Sequence, residues 1–187
     1  AGLLVAGVAL TACGKEGSPS GDSDSEQANL SYDVAQNVQV EGSPTFQKMK
    51  QAGGPTIGVK DDQPNLGYKA GTSNEYSGFD IEIARLVAAK LGFEKSDINY
   101  KAVPSAGREQ ALINGDVNYY VGTYTINDER KQQVGFAGPY FVAGQGLLVR
   151  KDDNEIQGKD DLKGKKVCSV SGSTPIQRVR EEGLTEN

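Results

Sequence analysis

From about residue 45 onward, apolar and polar positions fall into short blocks, each bounded by Gly, Pro, Asn or Asp. The clearest block is 78–92, where Phe79, Ile83, Leu86, Val87 and Leu91 recur at helical spacing and Gly92 offers a stop. It predicts an amphipathic helix with those five side chains facing the core. Upstream, 45–51 predicts a short helix ending at Gly53, 55–60 a strand, and 61–77 a long polar loop. Downstream, 98–103 alternates like a strand, 108–114 reads as a short helix closed by Gly115, and 117–122 as another strand. The order β-α-β-α-β predicts an α/β fold with a parallel sheet covered by helices. Gly138-Pro139 then interrupts the pattern. Two more strands are predicted at 144–151 and 166–170, followed by a helix with Thr174 as N-cap and Pro175 at its first position.

In open parallel sheets, ligands sit beyond the strand C-termini, beside helix starts. Lys60, Ser105 and the segment 123–125 all fall at such ends. The stretch Val121-Gly-Thr-Tyr-Thr-Ile-Asn-Asp-Glu-Arg130 adds a helix start, with Thr125 and Asp128 spaced as a capping box and Asn127 as the alternative cap. Free N–H groups at a helix start attract anions, and Arg130 contributes a planar fork of donors matched to a carboxylate. With Thr123 and Thr125 beside it, this end could hold the carboxylate of a small zwitterion. The plain alternative is an ordinary capped helix carrying a solvated arginine.

Composition narrows the classes. The 187 residues allow one ample domain or two small ones, and a net charge of −5 without a basic block argues against nucleic-acid binding. The absence of His removes Ser-His-Asp and Cys-His catalysis and the commonest zinc sites. No metal or cofactor is expected, and no pair of carboxylates stands at the strand ends as an enzyme would need. Residues 1–12 read as the remnant of a secretory signal, an apolar run too short to cross a bilayer. Leu10-Thr-Ala-Cys13 resembles a bacterial lipobox, which implies cleavage before Cys13 and a lipid on its sulfur. The Gly-, Ser- and acid-rich stretch 14–41 predicts an extended, mobile spacer, so 13–45 forms a lipid-anchored linker. Cys168 reads as a buried strand residue, or as half of a disulfide whose partner is expected beyond Asn187, rather than as a nucleophile.

Gly78-Phe-Asp-Ile-Glu-Ile-x3-Val-Ala-x2-Leu resembles the signature of family 3 extracellular solute-binding proteins, the amino-acid receptors of ABC importers. The resemblance continues through Ala111-Leu-Ile-Asn-Gly-Asp116, Thr123-x-Thr-x4-Arg130, Phe136-Ala-Gly-Pro-Tyr-Phe141 and the strand-like 147–151. It implies a type II periplasmic-binding-protein fold of two α/β lobes closing over the ligand. Lobe one would occupy 46–142, and 143–187 would hold the crossing and the first part of lobe two. Family members are longer, so the rest of lobe two, with the acidic residue for the ligand ammonium, is expected outside this sequence.

The resemblance further implies that Arg130 pairs with the ligand α-carboxylate and Thr125 hydrogen-bonds it. The Thr123 carbonyl would accept from the ammonium, and the helix start at Thr174 would bring an N–H from the other lobe. Ser105-Ala-Gly-Arg108 and Lys60 fit the glutamate/aspartate type, with Arg108 and Lys60 meeting the side-chain carboxylate. Val170 stands where some glutamine receptors have Lys, so that contact does not transfer. The implied protein is a monomeric, lipid-anchored receptor on the outer face of the membrane, delivering glutamate or a related amino acid to an ABC permease. Its rivals are an enzyme on the same fold, dehydratase-like or fused to a transglycosylase, and a sensor domain. The lipobox yields the first expectation: Cys13→Ser shifts the protein from the membrane fraction to the medium, measured by fractionation and immunoblotting. Retention at wild-type levels contradicts lipidation.

Overall fold

The structure is a computed structural model and describes residues 30–186; Cys13 and the apolar run before it lie outside the described residues. In chain order the elements are α1 (Pro44–Ala52), β1 (Thr56–Val59), β2 (Asp62–Gln63), β3 (Gly67–Lys69), β4 (Tyr76–Ser77) and α2 (Phe79–Lys90). Then follow β5 (Asn99–Ala102), α3 (Arg108–Ile113), β6 (Tyr119–Tyr120), α4 (Asp128–Lys131) and α5 (Thr174–Glu181).

β1 is the centre of a parallel sheet in the order β5-β1-β6. Ile57 and Val59 are completely buried, as expected of a strand covered on both faces. Gly58 between them leaves room for Tyr120, whose Cδ2 would lie 2.6 Å from any Cβ at that position. Backbone bonds from Val103 to Val59 (3.0 Å) and from Val121 to Gly58 (2.9 Å) carry the pairing past the strand ends. All three strands therefore finish at one edge, and that edge positions the site. The parallel β-α-β-α-β order is the one the sequence predicts.

The face of α2 differs from the expected one. Ile81, Ala84 and Ala88, at positions i, i+3 and i+7, are fully buried, whereas Phe79 and Val87 are 41% and 37% exposed. Small alanines let the helix approach the sheet closely, and a hydrophobic pattern weighted by side-chain size misses that stripe. Ile83 packs at the margin of the central cluster of Ile57, Val59, Ile81, Ala84 and Val121. Leu91 joins a second cluster of Phe46, Met49, Ala88 and Phe93. Val38 and Val40 also pack on that second cluster, and the Ala35 N–H donates to the Ala89 carbonyl at 2.9 Å. The end of the expected mobile spacer is thus strapped onto α1 and α2.

Four further expectations need correction. The polar loop 61–77 contains a small antiparallel sheet, β2-β3-β4. The strands expected at 144–151 and 166–170 do not form, because no neighbouring strand among the described residues supplies ladder bonds. Leu148 is fully exposed there, and Cys168, one reading of which is a buried strand residue, is exposed. The N-cap of α5 is Ser173, with Thr174 as the first helical residue.

The turn from β4 into α2 depends on Gly78, whose φ is +112° and whose missing Cβ leaves space for the Leu66 backbone. Gly78→Ala is expected to cost about 2 kcal/mol or more, through both the backbone conformation and the clash. The thermal midpoint should fall by roughly 4–8 °C; an unchanged midpoint contradicts the turn as described.

Candidate binding site at the strand ends

The site is built where β1, β5 and β6 stop. After β5 the chain turns at Ser105 into α3, which presents Arg108 and Glu109. After β6 it passes through Thr123, Tyr124 and Thr125 into α4. α4 is a single turn, capped by the Asn127 side chain, which accepts from the Arg130 N–H at 2.9 Å. The alternative cap is the one formed, and one turn carries little dipole, so the anion-attracting power expected of a helix start rests on Arg130 itself.

Two guanidinium groups dominate the geometry, and both are almost wholly buried: Arg108 is 2% exposed and Arg130 6%. Arg108 donates from Nε to the Ser105 carbonyl at 2.9 Å, from Nη1 to the Thr123 carbonyl at 3.3 Å and from Nη2 to the Gly172 carbonyl at 3.1 Å. Arg130 donates from Nη1 to the Thr125 carbonyl (2.9 Å) and Thr174 Oγ1 (3.0 Å), and from Nη2 to the same Gly172 carbonyl (3.2 Å). Its Nε lies 3.2 Å from Glu109 Oε1. Burial pulls the Arg108 pKa below its ordinary value, and the like charge of Arg130 adds to that pull. The segment before α5 closes against the turn that leads into α3 at Gly172, where φ is +72° and an added Cβ would lie 2.6 Å from the Ala106 Cα. A cleft of about 680 Å³ opens beside these groups, lined in part by Ser105, Glu109, Arg130, Gly172, Ser173 and Gln177.

Of the residues singled out in the sequence, Ser105, Arg108, Thr123, Thr125, Arg130 and Thr174 are joined in this one network. Two contacts in it were not foreseen. The Thr123 carbonyl accepts from Arg108, and Thr174 reaches Arg130 through its hydroxyl. Lys60 is buried at the end of β1 but pairs with Asp62, 3.2 Å away, outside the arginine network.

Sequence reasoning missed Asp80, Glu109, Tyr124 and Gly172. Asp80, 2% exposed in the first turn of α2, accepts from the Thr123 N–H at 3.1 Å and from the Tyr140 hydroxyl at 2.8 Å. It holds Thr123 at a left-handed φ of +42°. An acid in the first turn of a helix reads as dipole compensation, so neither Asp80 nor Glu109 announced itself. Gly172 could have been suspected only from its place just before a helix start.

A parallel α/β edge with a buried arginine, Arg130, lining a cleft suits a small anion or an amino acid. Residues 56–183 match the bacterial extracellular solute-binding proteins, family 3, and the chain belongs to that family. It is 37% identical over 183 residues to the glutamate-binding protein GluB of Corynebacterium efficiens, covering 95% of this chain and 54% of that protein. It is 36% identical over 178 residues to a glutamine-binding protein of Geobacillus stearothermophilus, covering 95% of this chain and 66% of that one. Among solved structures, an ancestral arginine-binding protein bound to arginine superposes with a TM-score of 0.64 at 36% identity, over 71% of this chain and 57% of that chain. The chain thus spans about half the length of the GluB protein it matches. The fold is that of the type II periplasmic amino-acid-binding proteins, seen here over the matched part.

The Asp80 linkage generates a pH expectation. Burial raises its pKa, against the lowering effect of the Tyr140 and Thr123 bonds. A carboxyl raised in the folded state contributes stability that is fully present below its unfolded pKa and is lost as pH rises through the folded value. The stability gap between wild type and Asp80→Asn should therefore narrow as pH rises from about 4 to 7, followed by urea unfolding at several pH values. A gap independent of pH contradicts the assignment.

Proposed function

We propose that this chain contributes the amino-acid-binding cleft of an extracellular receptor for an ABC importer, with glutamate as the ligand. The observation that carries the reading is the pair of buried guanidiniums at the strand-end edge. Two cations, Arg108 and Arg130, face one carboxylate, Glu109, so the cluster retains a formal excess of one positive charge. Arg108 makes three hydrogen bonds from five N–H groups, whereas Arg130 makes three and pairs its Nε with Glu109, which leaves two donors on Arg108 and one on Arg130 for a ligand.

In this reading Arg130, with Thr125 and Thr174 beside it, receives the α-carboxylate. Arg108 and, from the β1 end, Lys60 receive the side-chain carboxylate, while Ser105 and Thr123 shape the floor. Enclosing a second carboxylate demands a paired cation, because an unpaired buried charge costs several kcal/mol. Residues 46–142 would then be lobe one and 143–187 the crossing and the start of lobe two. The protein would act as a monomer, held at the outer face of the membrane through lipid on Cys13 and docking on a permease. The relatives named above are binding proteins, which supports binding rather than catalysis.

Calorimetric titration of the full-length protein with glutamate and glutamine tests this. Arg130→Ala should weaken both ligands alike, because both carry an α-carboxylate. Arg108→Ala and Lys60→Ala should each narrow the glutamate-over-glutamine preference by about tenfold, equivalent to roughly 1.4 kcal/mol. If neither changes the ratio, the acidic-ligand assignment fails while the general site at Arg130 stands.

A further inference from the structure

We propose that Tyr124 and Glu109 are positioning residues that hold both guanidiniums in the orientation from which they meet a ligand carboxylate, an inference that rests on the reading of the cleft as an amino-acid site. The Tyr124 ring centroid lies 4.2 Å from Arg108 Cζ and 5.0 Å from Arg130 Cζ, so one aromatic ring carries both cations. That ring is itself held. Tyr120 meets it at 5.6 Å in an edge-to-face contact, and Phe136 at 5.1 Å in a tilted one.

The Tyr124 hydroxyl donates to Glu109 Oε1 at 2.7 Å, and the same oxygen lies 3.2 Å from Arg130 Nε. Burial, reinforced by the Glu109 carboxylate, pushes the Tyr124 pKa well above its ordinary value, so the hydroxyl stays a donor. Burial alone would raise the Glu109 carboxyl. The Tyr124 donor and the two arginines outweigh it and draw the group below the usual carboxylate range, so it stays charged. Glu109 therefore takes the Nε edge of Arg130, which fixes the rotation of the guanidinium about its stem. Nη1 and Nη2 are then turned toward Thr125, Thr174 and Gly172. Glu109 also offsets the repulsion between two cations held over one ring. Neither residue needs to touch the ligand to act, since each works through Arg108 or Arg130.

The test is a double-mutant cycle on the full-length protein, titrated with glutamate and with glutamine by calorimetry. Tyr124→Phe keeps the ring and removes the hydroxyl; Glu109→Gln keeps the shape and removes the charge. Each single variant should weaken both ligands by a similar factor, about three- to tenfold, and the double variant should be within about twofold of the weaker single, because the hydroxyl acts through the carboxylate. Thermal midpoints close to wild type separate this from a loss of folding, and Tyr124→Phe alone carries the test if Glu109→Gln does not fold. Wild-type affinity in the singles, or fully multiplicative losses in the double, overturns the proposal. Tighter binding by Glu109→Gln also overturns it, since Glu109 would then be competing with the ligand for Arg130. If the wild-type protein binds neither amino acid, the amino-acid reading of the cleft itself has failed.

Discussion

Two guanidinium groups donate to a single backbone oxygen, the carbonyl of Gly172, and the architecture of the cleft follows from what it takes to hold them there. Arg108 and Arg130 come from different strand ends, and each is buried to the extent that its charge must be met inside the protein. Backbone carbonyls from Ser105, Thr123 and Thr125 meet most of that demand, and the carbonyl of Gly172 adds a group from a segment more than forty residues along the chain. The lack of a side chain at Gly172 lets that segment close against Ala106. The interaction is therefore a cross-brace between the sheet edge and the start of α5.

The cross-brace needs the strand ends to be fixed, and the core does this. β1 is buried on both faces and pairs with β5 and β6, so the turns at Ser105 and Thr123 start from one edge. Ala84 and Ala88 bring α2 close to that sheet, and this closeness puts Asp80 within reach of Thr123 and Tyr140. Asp80 thereby links the strand end to the segment that follows Gly138-Pro139. The apolar packing under the sheet and the polar bonds above it are two ends of the same constraint.

Much of this was legible in the sequence. The three parallel strands, α1, α2 and α3 follow from periodicity and glycine stops; the strand-end argument picks out Ser105, Thr123, Thr125 and Arg130, and the family resemblance adds Arg108 and Thr174. What escaped has physical reasons. The buried stripe of α2 is made of small residues, whose weak hydrophobic signal is outweighed by Phe79 and Val87 at its flanks. Residues 144–151 and 166–170 have strand-like composition, but composition does not supply a ladder partner. Residues 35–40 look like spacer, yet Val38 and Val40 are enough to pack them onto α1 and α2. Asp80, Glu109 and Tyr124 act through partners distant in sequence, and no local pattern records such a pairing.

The central claim is that the buried arginine pair serves an amino-acid carboxylate. Calorimetric screening of the full-length protein against the twenty amino acids tests it most directly. The account predicts saturable one-to-one binding of glutamate or a closely related amino acid, and loss of that signal when the ligand α-carboxylate is replaced by an amide. Binding that survives removal of the α-carboxylate, or no binding of any amino acid, contradicts it.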